Sequence, residues 1–144
     1  MSKLDNFSAC LRVLQGTDFG RAVNDEIYRS GIAHQFSLTF ELAWKCLKQY
    51  MQDNDVIAAQ TGSTVDIIKL AYQVGLIDDF PLWRQMSRDR NITNHVYNAD
   101  EVDLLIAHVK NEYLPALKKL QTDLTIKYQE IEKSFFPPVK HEDD

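Results

Sequence analysis

The sequence predicts an all-α protein, an antiparallel up-and-down four-helix bundle with one additional short helix, and three observations carry this. Apolar residues recur at three- and four-residue steps along most of the chain, the pattern of a helix with one buried face. Only five glycines and four prolines occur in 144 residues, and the prolines fall late, at Pro81, Pro115, Pro137 and Pro138. Long stretches therefore lack a helix breaker, and an all-β fold, with a turn every ten or so residues, is disfavoured. With 44% hydrophobic and 26% charged residues, the composition suits one soluble folded domain rather than a disordered chain.

The elements follow in order. A first helix begins near Asp5, carries Phe7, Leu11 and Leu14, and loosens between Gly16 and Gly20. A second runs from about Asp25 to Gln52, with Tyr28, Ile32, Phe36, Phe40, Ala43, Trp44, Leu47 and Met51 in one stripe, the strongest core signal in the chain. The stretch Asp53 to Gly62 is polar and small. Ser63, with Asp66 three residues on, caps a short helix through Ile67, Ile68, Ala71 and Val74 that stops at Gly75. Asp79 and Pro81 open the next helix, with proline at its favoured first position, and this helix runs to about Tyr97. Asn98 and Glu101 start the last and longest helix, whose apolar rhythm extends from Val102 to Ile131 and which Pro115 should kink. Residues 1–133 thus form one domain, and the segment from Ser134 onward, ending His141, Glu142, Asp143, Asp144, is expected to be a flexible tail.

A formal net charge of −5 argues against binding nucleic acid by bulk charge, though it leaves room for a local basic patch. Cys10 and Cys46 are far apart, without a Cys-x-x-Cys pair or a histidine at ligand spacing, and read as small hydrophobes in a reducing compartment. The first residues contain no apolar signal core, and no apolar run approaches the roughly 20 residues of a membrane span, so the expected location is cytoplasmic. No carboxylate and histidine cluster recurs at ligand spacing, so neither a metal nor another cofactor is called for. His34, His108 and His141 stand isolated and read as surface or packing residues.

The helix expected from Pro81 to Tyr97 is where the pattern breaks. Its apolar stripe starts with Leu82 and Met86, Trp83 alongside, but the next turns of that face carry Asp89, Arg90 and Thr93. A guanidinium at a core position needs a carboxylate, a phosphate or a partner surface, because a buried unpaired charge costs several kcal/mol. On the neighbouring face Arg84, Arg88, Asn91 and His95 align. Between Arg84 and His95 three arginines against one aspartate give +2 within an acidic chain, the outline of a small anion site. The alternative is a solvated face with one arginine salt-bridged inside the bundle. On a continuous helix Arg90 and His95 would diverge by about 140° and lie about 7.5 Å apart along the axis. Their convergence on one phosphate requires Arg90 to wrap, the helix to end between them, or a second copy to contribute across a two-fold axis.

The segment Arg90-Asn91-Ile92-Thr93-Asn94-His95-Val96-Tyr97 matches the Arg-x4-His-x-Tyr motif of HEPN domains. The surroundings resemble one branch, the nucleotidyltransferase substrate-binding proteins. Phe36-Ser37-Leu38-Thr39-Phe40-Glu41-Leu42-Ala43-Trp44-Lys45 is similar to that branch's Phe-x-x-x-Phe-Glu-x-x-Trp-Lys helix, Ala71 to Ile77 to its Ala-x-x-x-Gly-Leu-Ile turn, and Trp83-x-x-Met86 precedes the Arg-Asn as it does there. Asn94 stands where the branch often has serine, and Ala99 where an acidic residue is common. The resemblance covers roughly residues 25 to 120 and implies a four-helix bundle that forms a homodimer and pairs with a separately encoded minimal nucleotidyltransferase. In related toxin and antitoxin pairs the HEPN member is a metal-independent ribonuclease, silenced when the nucleotidyltransferase adenylylates the motif tyrosine.

Carried onto this chain, the resemblance implies that Arg90 holds a phosphate, His95 acts as acid or base, and Tyr97 is the modifiable hydroxyl. An imidazole and an always-charged planar guanidinium suit such chemistry. Arg88, Asn91, Glu41 and Lys45 complete the candidate substrate-binding set. For Glu41 and Lys45 two readings stand, an ordinary i, i+4 surface pair or a place beside the motif helix. Trp44 and Trp83 read as core or dimer interface. Two functions follow, and both take a nucleotide or RNA as ligand. One is a non-catalytic substrate- or nucleotide-binding subunit whose dimer carries the nucleotidyltransferase; the alternative is a metal-independent ribonuclease toxin using Arg90 and His95 for cleavage. A plain helical interaction module is a weaker third reading.

Overall fold

The computed structural model describes residues 2–92 and 98–135. Helix α1 (Lys3–Gln15) starts at Ser2, whose hydroxyl accepts from the Asp5 amide while the Asp5 carboxylate accepts from the Ser2 amide. This reciprocal cap satisfies two donors that an isolated helix end would leave open. Phe7, Leu11 and Leu14 form the buried face. Where loosened chain is expected, a single helical turn, α2 (Phe19–Ala22), forms instead, because the Asp18 side chain accepts from the Arg21 amide and nucleates it.

Helix α3 (Glu26–Asp53) is capped by Asp25 and buries Ile32, Phe36, Phe40, Ala43, Leu47 and Met51 of the stripe anticipated for it, while Tyr28 and Trp44 are only half-buried. Full burial of each large apolar side chain contributes about 1.5–3 kcal/mol, which makes this face the main source of cohesion. A 3₁₀ turn at Ile57–Gln60 lies within the polar link. Ser63 and Asp66 then form a second reciprocal cap for α4 (Thr64–Gln73), and Gly75 follows in the left-handed region at φ 84°.

Two expectations for the remaining chain are corrected. Helix α5 (Phe80–Asp89) is capped by Asp79, with Phe80 first and Pro81 second rather than first. It also stops at Asp89, well before Tyr97. The Ser37 hydroxyl donates to the Arg90 carbonyl at 2.5 Å, occupying the acceptor that another helical turn would use. The last helix is not one kinked rod. Asn98 caps α6 (Ala99–His108), a π-helical turn spans Val109–Tyr113, and α7 (Leu114–Phe135) follows with Pro115 in its first turn. The Leu114 amide reaches back five residues to the Val109 carbonyl, so the wide turn comes immediately before the proline that cannot donate. Buried Val109, Tyr113 and Leu117 are spaced by four and four, which would drift around a regular helix; the wider turn keeps them on one face.

Cross-links between helices establish the topology. Gln35 of α3 donates to the Cys10 carbonyl of α1 and Gln121 of α7 donates to Ser8, while Lys3 and Leu4 at the start of α1 line one cavity with Cys46 and Tyr128, so α1 runs against both. Trp83 lies by Phe40 and Arg90 by Ser37, so α5 runs against α3. Asp78 meets Lys119 while Asp89 meets Tyr113, so α5 also opposes α7. Arg29 pairs with Asp103, Phe36 stacks on Tyr113 and Tyr50 meets Tyr128 edge to face, so α3 and the α6–α7 arm run parallel. This is an up-and-down four-helix bundle, with α4 the additional helix. No strand occurs among the described residues, and no helix among them is long and apolar enough to cross a membrane. The tail beyond Phe135 and residues 93–97 lie outside the described residues.

Candidate ligand-binding site

Two charged residues enter the bundle where α5 ends. Arg90 caps the helix, its amide bonded to the Met86 carbonyl, and its side chain turns toward α3. Nη1 donates to Glu41 Oε1 at 2.7 Å and to the Thr64 hydroxyl at 3.1 Å. The other Glu41 oxygen accepts from the Trp44 indole N–H at 2.9 Å. The guanidinium lies over the Phe40 ring at 5.5 Å, a cation–π contact that holds its plane. With 19% of the Arg90 side chain and 37% of the Glu41 side chain exposed, the pair sits at a wet rim rather than deep in the core. Arg90 Nε is buried and has no hydrogen-bond partner among the described residues. The result is a fixed cation with donor capacity left over.

Asp89 answers a different need. Its Oδ2 accepts a short hydrogen bond from the hydroxyl of Tyr113, which is fully buried on the π turn. Tyr113 stacks on Phe36 at 5.0 Å and on His108 at 5.6 Å, and His108 Nδ1 lies 2.9 Å from Glu112. Burial, and then the Asp89 carboxylate, push the Tyr113 hydroxyl well above the ordinary tyrosine range, so it stays a donor. Both core-facing charges of α5 are thus met from another helix, Asp89 from the π turn and Arg90 from α3.

Arg84, Arg88 and Asn91 are exposed, and neither Arg84 nor Arg88 forms an ion pair among the described residues. The aligned polar face is therefore solvated as far as Asn91. Helix α5 ends at Asp89, with Arg90 as its C-cap. His95 and Tyr97 themselves lie outside the described residues. Glu41 sits on Arg90, not on Lys45, which is exposed and unpaired among the described residues. Trp83 is buried in the core. Ser37, Thr64 and Tyr113 were not singled out by the sequence. Their signal is faint, a hydroxyl within or beside an apolar stripe, and their partners lie 53, 26 and 24 residues away. No group of three or more His, Cys, Asp or Glu side chains among the described residues is placed to hold a metal ion.

Two buried acids, Cys46 and Tyr113, and the half-buried Tyr128 share one pH dependence. Burial pushes the Cys46 thiol up to about 12 and the Tyr128 hydroxyl to about 12, and Tyr113 is raised further. In the unfolded chain these groups ionise near their ordinary values, about 8.5 for the thiol and 10 for the phenols. A raised folded value means stability that is complete below the unfolded value and lost as pH rises above it. The melting temperature is therefore expected to fall from about pH 9 upward, with Tyr113→Phe removing part of the fall above pH 10. Thermal melts from pH 7 to 11 test this, and a flat profile contradicts it.

The fold and the site define a helical bundle that presents a carboxylate-clasped arginine at the end of its third arm. Residues 2–126 match the family described as nucleotidyltransferase substrate binding protein like, and the chain belongs to that family. A Haemophilus influenzae protein named as a probable ribonuclease HepT is 28% identical over 82 residues, 56% of this chain and 56% of that one. The chain thus spans about half the length of the curated relative it matches. A solved Haemophilus influenzae structure, described as showing the fold of a substrate binding domain of a nucleotidyltransferase, superposes with a TM-score of 0.72 at 23% identity, covering 85% of this chain and 98% of that one. A solved structure from Thermus thermophilus superposes with a TM-score of 0.62 at 25% identity, covering 86% and 97%.

Proposed function

We propose that this chain is a non-catalytic, cytoplasmic, substrate- or nucleotide-binding subunit of a two-component nucleotidyltransferase, folded over residues 1–133. In this reading it forms a homodimer that carries a separately encoded minimal nucleotidyltransferase. Arg90 anchors the ligand, with Arg88, Asn91, His95, Tyr97 and Lys45 around it and Glu41 orienting the guanidinium.

The carrying observation is the 2.7 Å contact between Arg90 and Glu41. A phosphoryl transition state accumulates negative charge and is stabilised by donors held free for it. An arginine whose charge already faces a carboxylate contributes less to that stabilisation, but remains a well-positioned donor for a ground-state ligand. The second reading, a ribonuclease with Arg90 and His95 as catalytic pair and Tyr97 as the modified residue, is favoured by the similarity to the probable ribonuclease.

Expression of the chain alone, and together with a nucleotidyltransferase encoded beside it, separates the two, since the proposed reading predicts such a neighbour. Unimpaired growth, intact cellular RNA and co-purification of a small nucleotidyltransferase are expected. Growth arrest with RNA cleavage, relieved by His95→Ala, would overturn the non-catalytic reading in favour of the ribonuclease.

A further inference from the structure

At the start of α5, the end away from Arg90, a groove of about 250 Å³ opens between that helix and α7. Buried Leu76, Ile77, Trp83 and Leu120 form its floor, with half-buried Leu82 and Ala116 beside them. Carboxylates ring this apolar floor: Asp78 and Asp79 from the link before α5, Glu112 from the π turn and Asp123 from α7. Lys119 is the one cation in the lining, so four carboxylates against one ammonium leave a formal −3. Lys119 also demonstrates what this rim takes. Its ammonium lies 3.2 Å from Asp78 and 3.6 Å from Asp123, and the hydrogen bond to Asp78, followed by the charges of both carboxylates, raises its pKa. With Lys119 58% and Asp78 76% exposed, their pair is screened by water, contributes little to the fold and is open to exchange. Asp79 and Glu112 are each engaged through one oxygen, by the Leu82 amide and by His108.

We propose that this groove docks an amphipathic helix of a partner protein, its aliphatic side chains on the floor and its lysines or arginines on the flanks. This surface lies outside the ligand-binding reading and does not depend on it. Size favours side chains over a free ligand, because small-molecule sites run to roughly 300–1,000 Å³ and this groove is smaller. Two antiparallel helices frame a trough, which a third helix enters by laying its apolar ridge between theirs. Charge then selects the partner: the rim repels phosphate and acidic segments and attracts ammonium and guanidinium groups. The chain's own segment beyond Phe135 ends in Glu142, Asp143 and Asp144, the wrong sign for this rim. A second copy would have to bring its exposed Arg84 and Arg88, which lie outside the groove, so copies would join head to tail rather than across a two-fold axis.

Fluorescence anisotropy tests this with the full chain and a labelled helical peptide that carries leucines at i and i+4 on one face and lysines on either side. Two control peptides replace the lysines by glutamate or the leucines by serine. The lysine peptide is expected to bind and the controls are not. Lys119→Met leaves Asp78 and Asp123 without their competing cation, so it should tighten binding by about two- to fivefold. Asp78→Lys combined with Asp123→Lys should weaken binding by about tenfold or more with the melting temperature held, because neither side chain is buried. Ala116→Trp fills the groove from its wall and should abolish binding. No binding of the lysine peptide, equal binding of either control, or binding that survives the charge reversal would each overturn the assignment. Self-association of the wild-type chain that Asp78→Lys removes would place a second copy in the groove and overturn it too. The peptide requires neither a ligand at Arg90 nor a nucleotidyltransferase, so failure here and failure to co-purify with that enzyme are separate results.

Discussion

Phe40→Ala is expected to lower the unfolding free energy by about 3–5 kcal/mol, the range for removing a large buried aromatic side chain. At a size between the small and large domains for which the conversion is known, that is a fall of roughly 10–15 °C in melting temperature. The residue is fully buried, with Phe36 at 6.3 Å and Trp83 at 6.2 Å between ring centres. It is where α3 and α5 meet, and the cavity left behind opens directly beneath the Arg90 guanidinium. The substitution should therefore weaken the site as well as the fold. Phe40→Leu, which keeps most of the volume, should cost far less. Urea denaturation of the three proteins checks the ranking, and a loss under about 1 kcal/mol for Phe40→Ala would mean that α5 does not dock on α3 as described.

How far the sequence reaches can be judged residue by residue. The buried face of α3 was legible because Phe36, Phe40, Leu47 and Met51 repeat at helical spacing, and periodicity is a local property. The capping pair Ser63 and Asp66 was legible for the same reason: the bonds that make it span three residues. Arg90 was legible only as an anomaly, a charge where an apolar residue was due. What resolves it is Glu41, 49 residues earlier, and no local pattern selects that carboxylate over others. The premature end of α5 was hidden likewise, because the Ser37 hydroxyl that takes the Arg90 carbonyl belongs to another helix. Pro115 announced a disturbance, but not its form. A kink and a π turn both accommodate the missing donor, and what distinguishes them here is the core position required of Tyr113, a tertiary demand.

Glu41→Ala has the second large effect, about 1–3 kcal/mol. Breaking a fully buried pair by removing one partner costs about 3–5 kcal/mol, and the exposure of Glu41 moderates this. The cost arises from what is left behind. Arg90 Nη1 keeps only Thr64, Nε is already without a partner among the described residues, and the Trp44 indole loses its acceptor. Glu41→Gln retains an acceptor for Trp44 and should cost less than Glu41→Ala. Replacing the guanidinium in the same chain reverses part of the loss, because an apolar side chain over Phe40 has no charge to strand. The double variant Glu41→Ala with Arg90→Met should therefore be more stable than Glu41→Ala alone, with a coupling of about 1 kcal/mol or more in a double-mutant cycle. Additive effects in thermal and urea unfolding would show that the two residues act independently. The Glu41 carboxylate would then be no part of what positions Arg90.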